Sequence, residues 1–155
     1  MNELIKNMDT GFILDKLPYQ PPFLYVDGLD HVNEMGAEGS FTFSEDLEFY
    51  KGHFKDYPIT PGVILTECCA QIGLVCLGIF LMREDKELQN LKIGLSSSQM
   101  DFYKPVFPGE RVSVTSKKIY FRFNKLKCEV RMHNTNGDLV CKGILAGMIK
   151  TETNG

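Results

Sequence analysis

His53 and Glu67 are the two side chains whose types and spacing are best suited to moving protons. His53 lies in a Gly- and Pro-rich loop, from Gly52 to Pro58, directly ahead of a long apolar segment. Glu67 is the only charged residue between Gly62 and Met82. A lone carboxyl among Val63, Ile64, Leu65, Cys68, Cys69 and Ala70 is costly to bury as an anion, so its pKa should rise. A protonated acid beside a titratable base is what an enzyme needs to move a proton and expel hydroxide. Residue types alone leave a second reading open: a core histidine and a carboxyl buried without chemical purpose.

Neighbouring elements must hold both groups. Thr60-Pro61 reads as a helix start, with Thr60 as N-cap and Pro61 at the first helical position. The helix should run to about Arg83, where the sequence Arg-Glu-Asp-Lys-Glu returns to solvent. At ~1.5 Å per residue it would be about 30 Å long. Gln71 follows Glu67 at i,i+4, so it is placed to orient the acid or the loop bearing His53.

Around this helix the pattern is short and strand-like. A short helix is expected from about Leu4 to Leu14, then a Pro-rich entry into a strand. Phe23–Glu34 and Ala37–Ser44 read as a hairpin around Met35-Gly36, and Phe49–Thr60 as loop. Ile93–Tyr103, Arg111–Phe123, Leu126–Met132 and Leu139–Ile149 complete the strands, with Asn136-Gly137 as a turn that needs positive φ. The last residues, Thr-Glu-Thr-Asn-Gly, should fray. The sum is an α+β architecture in one domain over 1–155, with an antiparallel sheet of about six strands curled round one apolar helix. Its sheet edges are open to pairing with another subunit.

Bulk properties narrow the function classes. Of 155 residues, 43% are hydrophobic and 24% charged, which is ordinary for a soluble globular protein. A net charge of −3 gives no support for nucleic-acid binding. The apolar run is long enough to cross a bilayer, but Glu67, Gln71 and three glycines lie within it and no basic flank precedes it; a core helix is expected, with no membrane span. Five cysteines, an odd number without a CxxC pair, read as buried hydrophobes of a reducing compartment. With no secretory signal at the N-terminus, the expected location is cytoplasmic. His53, Glu67, Cys68 and Cys69 lack ligand spacing, so no metal is expected. Ser96-Ser97-Ser98 lacks a nucleophile-elbow context, which argues against a serine nucleophile.

Gly52-His53-Phe54, Pro58, Pro61-Gly62-Val63, Glu67 and Ala70-Gln71 together resemble the signature of the β-hydroxyacyl-acyl-carrier-protein dehydratases of the hot-dog fold. The upstream segment from Leu17 to Asp27 and the downstream segment from Phe102 to Glu110 resemble the same family in the same order. The fourteen-position spacing from His53 to Glu67 is similar to the family's catalytic pair, and Glu rather than Asp resembles its pure dehydratase branch. The chain departs from the family at Tyr19-Gln20, where His-Arg is usual, at Lys55 in place of Pro, and at Cys68 in place of Ala. These departures point to a divergent paralogue in a specialised acyl or polyketide-like pathway.

The resemblance implies dehydration of a 3-hydroxyacyl thioester on acyl carrier protein to the trans-2-enoyl thioester, without a cofactor. His53 would be the base, since an ordinary imidazole, with a pKa of about 6.5, is largely neutral at working pH. Glu67, held neutral, would protonate the departing hydroxide. Backbone N–H groups at the helix start, at Gly62 and Val63, would polarise the thioester carbonyl. In this family the site lies at a dimer interface, implying a homodimer or a trimer of dimers in which His53 of one subunit faces Glu67 of the other. The carrier is acidic, so Lys104, Arg122, Lys125 and Lys127 are docking candidates, or else ordinary solvated strand faces. Two rivals remain: a hot-dog thioesterase, which needs no histidine at position 53, and a non-catalytic acyl-binding partner.

Overall fold

A computed structural model of the chain describes residues 3–85 and 91–151. The ending at 152–155, expected to fray, lies outside the described residues. Six strands form a single sheet: β1 (Gly28–Asn33), β2 (Gly36–Thr42), β3 (Leu91–Phe102), β4 (Arg111–Arg122), β5 (Lys125–Asn134) and β6 (Leu139–Thr151). Their spatial order is β1-β2-β4-β5-β6-β3, and every neighbouring pair is antiparallel. Strand β3 therefore stands at one edge, with a bulge between Leu95 and Ser97. The amino-terminal helix α1 (Glu3–Lys16) packs on β1 and on the last turns of the central helix, where it buries Ile13.

The strands follow from alternation. Leu126, Cys128, Val130 and Met132 are wholly buried, while Lys125, Lys127, Glu129 and Arg131 take the outer face. The turn before β6 is as expected, with Gly137 at φ +83° and the Asn134 carboxamide accepting the N–H of Asn136 and Asp138. A second tight turn, Phe123-Asn124, was not foreseen; both residues have positive φ, and Phe123 is 93% exposed. Residues 23–27 are not strand, contrary to expectation: the Phe23 carbonyl and the Tyr25 N–H and carbonyl bond to side chains of the central helix, and only Asp27 donates to β2, at Ser40.

The central helix α2 (Gly62–Leu81) is long and apolar enough to span a membrane, yet 78% of that stretch is buried inside the sheet, so it is a core helix. The sequence reading put Thr60 at its N-cap, and the structure corrects this. Thr60 is buried; its N–H donates to the Val106 carbonyl at 2.9 Å and its hydroxyl meets that of Tyr50 at 2.5 Å. Pro61, with extended ψ of 140°, takes the cap position, and no side chain caps the helix. A π turn, Gln71–Val75, interrupts the α-helical pattern mid-way.

Close packing of helix on sheet relies on Gly73. A Cβ there would lie 2.9 Å from both Ser116 Cβ and Val130 Cγ1. The five cysteines are all buried and unpaired, as their apolar setting implied; Cys69 and Cys141 sulfurs lie 3.9 Å apart. Replacing Gly73 by Val should push α2 off β4 and β5 and cost about 1–3 kcal/mol. Urea unfolding checks this: the midpoint should fall with the slope unchanged, whereas an unmoved midpoint would contradict the packing argument.

Candidate active site

His53 is fixed by its own loop. The His53 carbonyl accepts the N–H of Ile59 at 2.9 Å, and the imidazole Nδ1 lies 2.9 Å from the Ile59 carbonyl. A carbonyl can only accept, so Nδ1 carries the proton and Nε2 is left as a free lone pair. The ring stacks on Phe54 at 4.1 Å. It opens on a largely apolar groove of about 360 Å³ whose walls include Gly62, Leu65, Phe102 and Tyr103. Among the described residues, the N–H groups of Gly62 and Val63 have no acceptor, because the first helical bonds come from Ile64 and Leu65 to the Pro61 carbonyl. The Phe102 ring lies 3.3 Å from where a Cβ on Gly62 would sit, so glycine leaves this approach open.

Glu67 belongs to a different face of the helix. Gly62 and Leu65 border the His53 groove, whereas Glu67 lies about 200° round the axis from Leu65. Within one chain the groove does not include Glu67. Gln71, foreseen as its orienting partner, is wholly buried. Its Nε2 donates to Glu67 Oε2 and to the Phe23 carbonyl, both at 2.9 Å, and its Oε1 accepts the Tyr25 N–H at 2.7 Å. Gln71 thus orients the acid and the 23–25 loop; the alternative, that it holds the His53 loop, does not occur.

This arrangement sets the state of the carboxyl. Burial lifts the pKa of Glu67 above its ordinary 4.5, and the bond from Gln71 offsets only part of that rise. Because the Gln71 amide donates to Oε2 whatever the charge, a proton on the acid resides on Oε1, the open oxygen. A free imidazole nitrogen and a carboxyl whose neutral form burial favours are the kinds of group that general acid–base chemistry uses.

The docking candidates are scattered. Lys104 lies at the mouth of the groove and pairs with Asp138 at 3.2 Å. Arg122 and Lys125 face each other across β4 and β5, and the Arg122 guanidinium and the Lys127 ammonium lie 4.4 and 5.9 Å from the Tyr120 ring centre. Lys125 is level with Met148 on β6 and Phe102 with Cys141, seven residues apart along that strand. In one chain the basic hairpin is thus roughly 23 Å from the groove. Sequence reasoning missed Tyr19 and Tyr25, whose hydroxyls burial, and then the charge of Glu67, make harder to ionise; Tyr19 reaches a pKa of about 12. The aromatic run before Asp27 was the only signal.

Residues 30–144 match the model of the ApeI-like family, described as ApeI dehydratase. The chain belongs to the ApeI-like dehydratase family. Among its relatives, the 3-hydroxyacyl-acyl-carrier-protein dehydratase FabZ of Bacillus licheniformis is 32% identical over 139 residues, covering 89% of this dehydratase and 93% of that protein. FabZ of Acinetobacter baylyi is 34% identical over 112 residues, covering 72% and 75%. The ApeI:P dehydratase heterocomplex of Xenorhabdus doucetiae superposes with a TM-score of 0.76 over 90% of the dehydratase and 91% of that chain, at 15% identity. A coenzyme A-bound hypothetical thioesterase of Streptococcus pneumoniae reaches 0.58 over 99% and 100%, at 10% identity. At these identities the likeness is one of fold alone, the hot-dog fold, which serves both chemistries.

The raised pKa of Glu67 carries a stability consequence. The folded state holds this proton more tightly than the unfolded chain, so the stabilisation is complete below pH 4.5 and is lost as pH rises through the folded pKa. Glu67→Gln lacks that loss. Stability of the wild type relative to Glu67→Gln should therefore decline as pH is raised from about 4 to about 8. Urea midpoints of the two proteins across this range measure it, and parallel curves would contradict the assignment.

Proposed function

We propose that the protein dehydrates 3-hydroxyacyl thioesters carried on acyl carrier protein, with His53 as base and Glu67 as acid. The observation that carries this reading is the complementary state of the two groups: Nε2 of His53 open as a lone pair, Oε1 of Glu67 open and biased toward its proton. His53 takes the α-proton while the N–H groups of Gly62 and Val63 receive the developing charge on the thioester oxygen. The C3–O bond then breaks, Glu67 gives its proton to the departing oxygen, and water and the trans-2-enoyl thioester leave.

The two groups face opposite sides of α2, so the complete site is one between two copies. The rim of the His53 groove supports this: Val63 is 77% exposed and Phe54 57%, with Phe102 and Tyr103 each about half exposed. Edge strand β3 offers unpaired backbone beside that rim, and exposed apolar surface next to an open edge favours a second copy. A two-fold pair suits this need, alone or as three pairs assembled together. The Arg122–Lys125 hairpin, distant from the groove of its own chain, would receive the acidic carrier for the partner's site, with Lys104 at the groove mouth. Buried free cysteines fit a cytoplasmic setting.

Relatives similar in sequence bear the FabZ dehydratase name, whereas thioesterases match in fold at low identity, and this favours dehydration over hydrolysis. His53→Ala and Glu67→Gln should each lower dehydration at least about 10²-fold, with far-ultraviolet circular dichroism unchanged. Mixing the two inactive variants should restore part of the activity once subunits exchange. Near-normal turnover by either variant would end the mechanism, and no recovery after verified exchange would end the shared site.

A further inference from the structure

The loop that carries His53 hangs between two flanks, and His53 is bound to both. Its main-chain N–H donates to the Phe49 carbonyl at 2.9 Å, within the short helical turn Glu48–Lys51. Its Nδ1–H donates to the Ile59 carbonyl at 2.9 Å, on the stretch that leads into α2. The separation of the two flanks therefore sets where Nε2 stands.

A pair of side chains ties these flanks together. Tyr50 and Thr60 are both buried, and their hydroxyls meet at 2.5 Å. Among the described residues neither hydroxyl has another partner. Tyr50 follows Phe49 and Thr60 follows Ile59, so each belongs to the residue next to a carbonyl that holds His53. Thr60 also precedes Pro61-Gly62-Val63, borders the His53 groove, and anchors its own N–H on the Val106 carbonyl at 2.9 Å. The pair thus stands between the base and the free N–H groups at the start of α2. An apolar pair of the same shape could fill this space with little change in stability. What two hydroxyls add is direction, because a hydrogen bond holds its ends at one distance and angle.

We infer that Tyr50 and Thr60 are positioning residues, whose hydroxyl bond holds His53 in its Nδ1–H tautomer and in register with the N–H groups of Gly62 and Val63. The inference deepens the dehydratase reading above and rests on it for the effect on turnover. Without the bond the flanks can part, the Ile59 carbonyl leaves Nδ1, and the ring exchanges between two tautomers. Only one of these presents Nε2 as a lone pair. A misplacement of about 1 Å can cost about 10²-fold in rate.

The test separates position from stability by removing one hydroxyl or both. Tyr50→Phe leaves the Thr60 hydroxyl buried and unpaired, and should lower both the urea midpoint and kcat. Adding Thr60→Val removes the stray hydroxyl and should restore most of the midpoint. The double variant's kcat should nevertheless stay about tenfold or more below wild type, with KM within about twofold. Thr60→Ser keeps the hydroxyl and should keep kcat within about threefold. Nitrogen-15 NMR of the imidazoles at about pH 8, where an ordinary histidine is neutral, reads the tautomer without substrate. Wild type should show one His53 tautomer and the double variant a mixture, with His53→Ala assigning the signals. Recovery of kcat together with stability in the double variant overturns the positioning role. So does an unmoved tautomer in whichever of the Phe-bearing variants folds. A wild-type protein that forms no enoyl thioester overturns the dehydratase reading instead, and the tautomer comparison still decides whether the pair orients His53.

Discussion

One buried amide ties this molecule together. Gln71 is enclosed on a helix that is apolar on nearly every side, and it can be there only because all three of its hydrogen bonds are made. Leaving one such group unpaired costs on the order of 1–3 kcal/mol, so the amide cannot turn over or retreat. Its donors must face the Phe23 carbonyl and the acid, and its acceptor the Tyr25 N–H. In one stroke this fixes the loop after α1 and the Glu67 oxygen that faces the amide. The apolar helix supplies the complementary half, because burial is what lifts Glu67 toward the neutral state.

The imidazole of His53 is held by quite different means. His53 depends on its own short loop, whose reciprocal bonds with Ile59 select the tautomer. Loop and amide lie on different sides of α2, so within one chain the His53 groove does not include Glu67. The exposed valine and aromatic residues round the His53 groove belong to the same design. Exposed apolar surface of this kind favours cover by another surface.

Much of this was legible in the sequence. A 20-residue apolar helix with one charge announced both the core and the acid, alternation gave the strands of the β4–β5–β6 ladder, and Asn136-Gly137 gave its turn. The types and spacing of His53 and Glu67 marked them as the candidate base and acid. What escaped was long-range pairing. Thr60 looks like a cap in its local context, yet Tyr50 and Val106 claim its polar groups. Gln71 finds partners 46 and 48 residues away, which no i,i+4 argument reaches. Lys104 was a docking candidate by charge alone, and its pairing with Asp138, 34 residues on, could not be read locally. The π turn lies in a uniformly apolar stretch, where a period has nothing to stand out against. Phe123-Asn124 adopts a turn normally signalled by Asn-Gly, so its residues gave no hint.

The central claim is that a base and a neutral acid remove water from a 3-hydroxyacyl thioester without cleaving the thioester. The most direct measurement follows two signals at once in the purified protein supplied with such a substrate: ultraviolet absorbance of the conjugated enoyl thioester, and free thiol. Enoyl absorbance rising with no thiol released is the predicted result. Thiol released without enoyl absorbance would contradict the account and make the protein a hydrolase of the same fold.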